Sequence, residues 1–430
     1  MLTRFSAAVA LAAAFVPLLA ACQQERPAYP GPYGAQVAAA IPAIERAVGL
    51  TFKTPPRVEL RSKDEVRGFL EKKFDEAQPA LELAGAERAY KLFGLLPDTL
   101  HLRRFMLALL AEQVVGYYDP STKVLYIVGG DGSSEGGPAP EIVNVTITHE
   151  LVHALQDQYF GLDSLQKIHG QNDRQTAAQA VIEGQATFEQ MAAMFGGGNF
   201  VMRLPGGWDR VRQTIREVQG QMPLFAAAPM LIQETLLFPY LSGAEFVMRF
   251  KEKRPGQVPY RPLPSSTEQV MHPERFLDSL DEPTRVVLPG PTGASVVYEN
   301  DLGEFETRLL LYQSLQDVDA ASRGAAGWDG DRYYVVNTPQ GAGLTWLTVW
   351  DSAVEAAEFR DSMERAIEQR FGTAPGSGGR GGARRFAARG RTIELVAATV
   401  QGRPAVVFTN VPAGADTKLI ELGKVKLEKP

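Results

Sequence analysis

The chain has 430 residues, 45% of them hydrophobic, with 44 basic against 50 acidic side chains and a single cysteine. That length is ample for one or two cored domains, and the mildly acidic balance gives nucleic acid no electrostatic foothold. One cysteine excludes an internal disulfide, so stability must come from packing.

Arg4 precedes an apolar stretch over residues 5–19 that closes on Leu19-Ala20-Ala21-Cys22. The stretch is shorter than the ~20 apolar residues of a membrane span and ends in small residues, as a secretory signal does. It resembles the lipobox of bacterial lipoproteins, with the only cysteine at the lipidation position. The resemblance implies that residues 1–21 form a signal peptide and that Cys22 carries a lipid. The protein is then held on the bacterial cell envelope, on its periplasmic or extracellular face. Gln23 in place of an aspartate fits outer-membrane sorting. Residues 22–35, rich in proline and polar groups, are expected to be a flexible tether.

Helical spacing runs over 36–48, and 57–61 alternates as a strand. Ser62 and the acidic Asp64 and Glu65 open another helix, followed by two more at 81–93 and 100–113. The last presents Leu102, Phe105, Met106, Leu109 and Leu110 as an apolar stripe. Residues 114–118 and 123–128 read as a β-hairpin around Asp119-Pro120-Ser121-Thr122. A glycine-rich loop at 129–137 has the composition of a lid.

Next comes Thr148-His149-Glu150-Leu151-Val152-His153-Ala154-Leu155, an HExxH motif in an apolar helical run. Residues four apart project from one helix face, so His149 and His153 can offer ring nitrogens to one tetrahedral Zn²⁺. Glu150, about 100° round the helix, is placed as general base for a water activated by the metal rather than as a ligand. A catalytic zinc needs a third protein donor, and Glu183 is the candidate. It lies on the helical pattern Ala180-Val181-Ile182-Glu183-Gly184-Gln185-Ala186-Thr187-Phe188, with chain enough after His153 for a loop and a returning helix. Its neighbours Ala180, Ala186 and Thr187 are small and allow a close helix approach, and a buried carboxylate there calls for a cation.

These residues resemble the gluzincin metallopeptidases, in which HExxH is followed by a glutamate on a second helix, often as Glu-Gly-x-Ala. The resemblance implies a zinc site of His149, His153 and Glu183. It also implies an edge strand just ahead of the metal-binding helix, bordering the cleft where an extended peptide adds. Thermolysin-like relatives carry an aspartate four residues after the glutamate; Thr187 stands there in this chain, so Asp157 or Thr187 is expected to orient a ligand histidine.

Downstream, residues 222–248 are apolar but interrupted by Pro223, Pro229, Gln233, Glu234 and Pro239, which reads as buried core rather than a membrane span. Segments 238–246 and 265–274 are similar to an uncharacterised family of bacterial HExxH proteins. A donor for the oxyanion should come from another part of the cleft. His272 and Tyr240 are the candidates, then Tyr159; His101 and His169 read as surface residues.

From about residue 285 the texture changes. Residues 301–314 look helical, 332–336 and 345–350 look like strands, 353–371 is a long helix, and 392–399 and 404–409 are strands. The turn Gly327-Trp328-Asp329-Gly330-Asp331-Arg332 carries two aspartates that suit Ca²⁺, though it suits an ordinary turn into a strand better. Gly376 to Arg391, glycine-rich and basic, reads as a flexible loop.

The expected fold class is α+β, a helix-rich zincin-like metallopeptidase domain with a small sheet over 36–284, followed by an accessory α+β region over 285–430. The expected function is a membrane-anchored zinc metallopeptidase acting on a peptide or protein substrate, with no nucleic-acid partner. An amide of cell-wall peptide is another bond such a site would suit. The competing reading is a non-catalytic envelope lipoprotein that binds a partner. Structural zinc sites are normally closed by four ligands, often cysteines, which this chain lacks once Cys22 is lipidated.

Overall fold

The computed structural model describes residues 29 and 31–429 except 55, 78, 130–139, 164–167, 195–212, 214–215, 218–219, 375 and 377–382. The expected signal peptide, Cys22 and the lid segment from 130 onward lie outside the described residues. Among those described, no helix is long and apolar enough to cross a membrane.

The chain is a mixed α/β protein with two sheets that matter to the site. In the N-terminal part, α1 (Gly34–Val48), β1 (Arg57–Arg61), α2 (Lys63–Ala77), α3 (Ala80–Phe93) and α4 (Leu102–Gln113) precede the hairpin of β2 (Gly116–Asp119) and β3 (Val124–Val128). A capping box starts α2: the Ser62 amide donates to Glu65 Oε2 at 2.8 Å and the Glu65 amide to Ser62 Oγ at 3.3 Å. The hairpin forms as its alternation predicts, but β1 pairs parallel to β3, giving the order β1-β3-β2. The strand immediately before the HExxH helix is therefore central, and the free edge beside that helix belongs to β2. β3 is buried along its whole length, as a strand paired on both sides and covered on both faces must be.

The two helices of the motifs follow, α5 (Pro140–Phe160) and α6 (Asn172–Met194). Val143, Ile147, Leu151, Val152 and Leu155 of α5 pack with Val37, Ile41, Ile44 and Val48 of α1 and with Leu125 and Ile127 of β3. Beyond them α7 (Met230–Phe238) passes through a π-helical turn at Pro239–Gly243 into α8 (Ala244–Lys253). Proline cannot donate to the preceding turn, and the wider i→i+5 turn relieves the clash without ending the helix. The apolar 222–248 stretch is thus buried core, as its prolines imply.

The C-terminal part is a six-stranded antiparallel sheet in the order β5-β6-β7-β10-β9-β8, from Ser295–Asn300, Trp328–Thr338, Gly341–Trp350, Arg384–Ala388 (β8), Arg391–Val400 and Arg403–Pro412. A small β4 (Arg285–Val287) and β11 (Lys426–Glu428) pair beside it. Helices α9 (Gly303–Leu315) and α10 (Ala353–Phe371) complete it, α10 capped by Ser352. Two expectations need correcting. Arg384 to Ala388, inside the basic glycine-rich segment, is an edge strand, since it alternates Phe386 into the core with exposed arginines. Asp329 and Asp331 lie within β6 rather than in a turn. Both are buried, and Asp331 accepts from the amides of Leu302 and Gly303 and from the indoles of Trp328 and Trp346, which leaves no place for Ca²⁺.

One apolar core crosses the expected boundary at 284/285. Phe93 of α3 sits edge-on to Tyr333 and Trp346, and Phe238 of α7 stacks on Phe305 of α9. At this junction Glu306 is buried and receives the Tyr90 hydroxyl at 2.9 Å. Burial pushes its carboxyl up to about 8, against the pull of bonds from Asn172 and Tyr90. A carboxyl raised by folding favours the protonated native state. Its contribution is full below the unfolded value of about 4.5 and is lost as pH rises through about 8. Thermal melts of Glu306→Gln should therefore show a flatter loss of stability over that window, by about 1.4 kcal/mol per pH unit. Parallel profiles for variant and wild type would contradict this.

Candidate metal centre

His149 and His153 lie one turn apart on α5, and Glu183 faces them from α6. His149 Nε2 lies 3.2 Å from His153 Nε2 and 3.2 Å from Glu183 Oε2, and His153 Nε2 lies 3.3 Å from that same oxygen. Donors about 2.0–2.1 Å from a tetrahedral zinc stand about 3.3–3.4 Å apart. The three atoms thus have the spacing of one face of a tetrahedral zinc site. Without a cation the arrangement is costly, since two ring nitrogens and a carboxylate oxygen converge in a buried place. Burial pulls the His153 ring down, but Glu183 outweighs it and raises the ring to about 9. A proton on His153 is the smallest cation that holds this triangle together. The residues therefore fit zinc in donor type, number and spacing.

The free Nδ1 atoms are both fixed by glutamines. His149 Nδ1 lies 3.0 Å from Gln190 Oε1, and His153 Nδ1 lies 2.8 Å from Gln156 Oε1. An amide oxygen only accepts, so each ring keeps a proton on Nδ1 and presents Nε2 to the cluster. Asp157 does not do this. It receives the Tyr118 hydroxyl and Lys123 Nζ, each at 2.7 Å. Thr187 is buried, and its Oγ1 has no partner among the described residues. Sequence reasoning missed both glutamines, although each stands seven residues, two helical turns, after a ligand: Gln156 after His149 and Gln190 after Glu183.

Glu150 is not among the three converging donors. Its Oε2 accepts the Tyr118 amide of β2 at 2.8 Å, and burial raises its carboxyl above the usual value against the pull of the two histidines. Val128 of β3 donates to Val115 O at 2.8 Å. By the alternation of an antiparallel ladder, Tyr117 and Asp119 then face β3 while the main-chain groups of Gly116 and Tyr118 point outward. On the edge beside Glu150 the Tyr118 amide is thus taken up by the carboxylate, and the Gly116 peptide groups and the Tyr118 carbonyl point outward.

Tyr240 reaches the same place from the π turn. Its ring centroid lies 6.1 Å from that of His149, and the Glu183 carboxylate acts on its hydroxyl. The Glu183 charge, then burial, hold the phenol well above 10, so it stays a neutral O–H donor. This approach depends on two glycines. A Cβ on Gly184 would stand 2.2 Å from the Gly243 carbonyl carbon, and one on Gly243 would stand 2.0 Å from Ala180 O. α6 and the π turn cross backbone on backbone, which is the physical content of Glu183-Gly184.

The other sequence candidates lie elsewhere. His272 Nε2 pairs with Glu304 Oε1 at 3.0 Å, and the charges acting on its ring are those of Glu304, Glu274 and Arg275. Tyr159 donates to Thr51 O at 2.8 Å. A second convergence, of Glu268, Asp281 and Asp351, already holds a cation. Arg275 Nη1 sits 3.0 Å from Glu268 and 3.1 Å from Asp351 and is bonded to Asp281 as well.

Residues 293–415 match a family model described as Domain of unknown function (DUF8575), a stretch that includes none of the metal-cluster residues. No curated protein matches the chain. A crystal structure from Chloroflexus aurantiacus, described as a "putative hydrolase with a novel fold", is similar at 18% identity over 58% of this chain and 89% of that one, with a TM-score of 0.33.

Alanine at Gly184 or Gly243 should force the crossing apart. Denaturant melts are expected to show a loss of at least about 1–3 kcal/mol, the usual cost of overpacking, together with weakened metal retention. Wild-type stability and metal content in both variants would show that the crossing is not tight.

Proposed function

We propose that the chain is a zinc-dependent peptidase of the gluzincin type, tethered to the cell envelope by a lipid on Cys22. The observation that carries this reading is the near-equilateral triangle of His149 Nε2, His153 Nε2 and Glu183 Oε2, with Glu150 and Tyr240 beside it. A zinc bound there supplies Lewis-acid polarisation of a carbonyl and lowers the pKa of water. The remaining steps fall to this chain's own residues.

An extended substrate is aligned by the outward peptide groups of Gly116 and the carbonyl of Tyr118, adding as a strand to the free edge of β2. Glu150 takes the proton of the attacking water and delivers it to the leaving amine. Its burial suits that task, because a raised carboxyl both accepts and returns a proton more readily near neutrality. Tyr240, neutral and aimed into the cluster from the π turn, donates its O–H to the oxyanion as the carbonyl becomes tetrahedral. His272, paired with Glu304, has no part in this scheme.

Elemental analysis of the soluble chain from Gln23 tests the reading. About one zinc per chain is expected, lost in His149→Ala and Glu183→Ala and kept in Glu150→Gln. On a casein-like substrate Glu150→Gln should lose activity by about 10²–10⁴. Tyr240→Phe should lose about 10²–10³ in kcat with KM little changed. A wild-type protein without zinc, or one whose zinc survives Glu183→Ala, would sink the reading and favour a binding role at the envelope.

A further inference from the structure

Resting on the reading of His149, His153 and Glu183 as a metal site, a second feature concerns how His153 is held. Gln156 is fully buried, and so nearly are Gln185 and Glu189. Gln156 Oε1 faces His153 Nδ1 at 2.8 Å, while Gln156 Nε2 donates to Ile182 O at 3.0 Å and to Gln185 Oε1 at 2.9 Å. Gln185 stands one turn before Glu189 on α6 and favours the charged form of its carboxylate. Glu189 is ion-paired with Lys251 of α8, whose ammonium also donates to Ala47 O of α1 at 2.6 Å.

The chemistry of these groups gives the chain a single direction. A carboxylate paired with an ammonium accepts only, so Gln185 must present its NH₂ to Glu189 and its oxygen to Gln156. Gln156 must then present its NH₂ toward Gln185 and its oxygen toward His153. The Ile182 carbonyl, also an acceptor only, fixes the same orientation a second time. An imidazole facing an amide oxygen carries its proton on Nδ1, which leaves Nε2 free for the metal.

We propose that Gln156 is the positioning residue for His153, and that its orientation is imposed from a distance by the buried Glu189–Lys251 pair acting through Gln185. The relay joins α1, α5, α6 and α8 and touches neither substrate nor reacting atoms. Its effect is on the tautomer and direction of one ligand ring.

Two variants separate this from a structural role. Gln156→Met removes the acceptor, and Glu189→Gln with Lys251→Met removes the remote polarity while deleting both charges, a change that is often neutral or stabilising to the fold. Each is measured in two ways: the zinc dissociation constant by chelator competition, and the imidazole ¹⁵N spectrum of the metal-free protein at alkaline pH, where the ring is neutral. Gln156→Met should weaken zinc binding by about 10–100-fold, the usual cost of losing such a partner. The double variant should weaken it by a smaller factor, with metal-free melting close to wild type. The wild-type spectrum should show the Nδ1–H form of His153, and both variants should show a mixture. Unchanged zinc affinity and spectrum in Gln156→Met would overturn the proposal. The same result in the double variant alone would overturn the remote control and leave Gln156. A wild-type chain that binds no zinc would sink the metal reading instead, and the metal-free spectrum would still decide the relay.

Discussion

The site depends on the crossing of α6 over the π turn at Gly184 and Gly243. No Cβ fits on either side of that contact, so the two backbones meet closer than any pair of residues with side chains allows. The closeness has a direct consequence for chemistry. Glu183 precedes one glycine and Tyr240 lies three residues before the other, so a carboxylate and a phenol from separate helices are brought close enough for the Glu183 charge to act on the phenol. An α-helical course through Pro239–Gly243 would turn Tyr240 about the axis, since the π turn adds a residue to the cycle at this point. Proline and glycine, poor helix formers as a rule, here serve the position of the site rather than the stability of the helix.

The same helix is held at its start by the C-terminal part of the chain. The first amides of a helix have no partner of their own. In α6 the Asn172 amide donates to Asn300 Oδ1 at 2.9 Å and the Asp173 amide to Asp301 Oδ1 at 2.8 Å. Asp173 itself receives the amide of Thr267 at 3.0 Å and its hydroxyl. Asp331 gathers the amides of Leu302 and Gly303, fixing the start of α9 against β6. The bonds to Asp173 and Asp331 are buried, so losing one partner there leaves a desolvated group unpaired, at about 1–3 kcal/mol. The region from residue 285 onward is therefore part of the scaffold that aims Glu183, and an apolar core without a break at 284/285 agrees with that.

What was legible in the sequence was local. His149 and His153 share a face because four residues make about one turn, and Glu183 was readable because its small neighbours Ala180, Ala186 and Thr187 allow a close helix approach. The helices and most of the strands followed from apolar periodicity. What was not legible is long-range or buried and polar. The parallel pairing of β1 with β3 joins residues 57–61 to 124–128, and no local pattern encodes such a partner. Glutamines 156, 185 and 190 carry no sequence signal of burial, because amide side chains are mostly exposed. Asp329 and Asp331 read as turn residues for the same reason, although one of them accepts four hydrogen bonds inside the sheet. His272 drew attention as one of five histidines, and the signal was rarity rather than geometry.

The relation of β2 to α5 is fixed at three heights along the helix. A Cβ on Gly116 would stand 2.8 Å from the Thr146 methyl, the Tyr118 amide donates to Glu150, and the Tyr118 hydroxyl donates to Asp157. Positions 150 and 157 are two turns apart, about 10 Å along the axis at 1.5 Å per residue, and a single tyrosine spans them with its amide and its phenol. Sliding the strand by one turn of the helix would break both bonds and bring a side chain, not a glycine, against Thr146. Lys123, from the turn that joins β2 to β3, adds a charge-assisted bond to the same Asp157. The free edge of β2 and the carboxylate proposed as base are therefore one rigid unit. A peptide held in register on that edge is held in register with Glu150 as well, and alignment of the reacting groups follows from the packing of a strand on a helix.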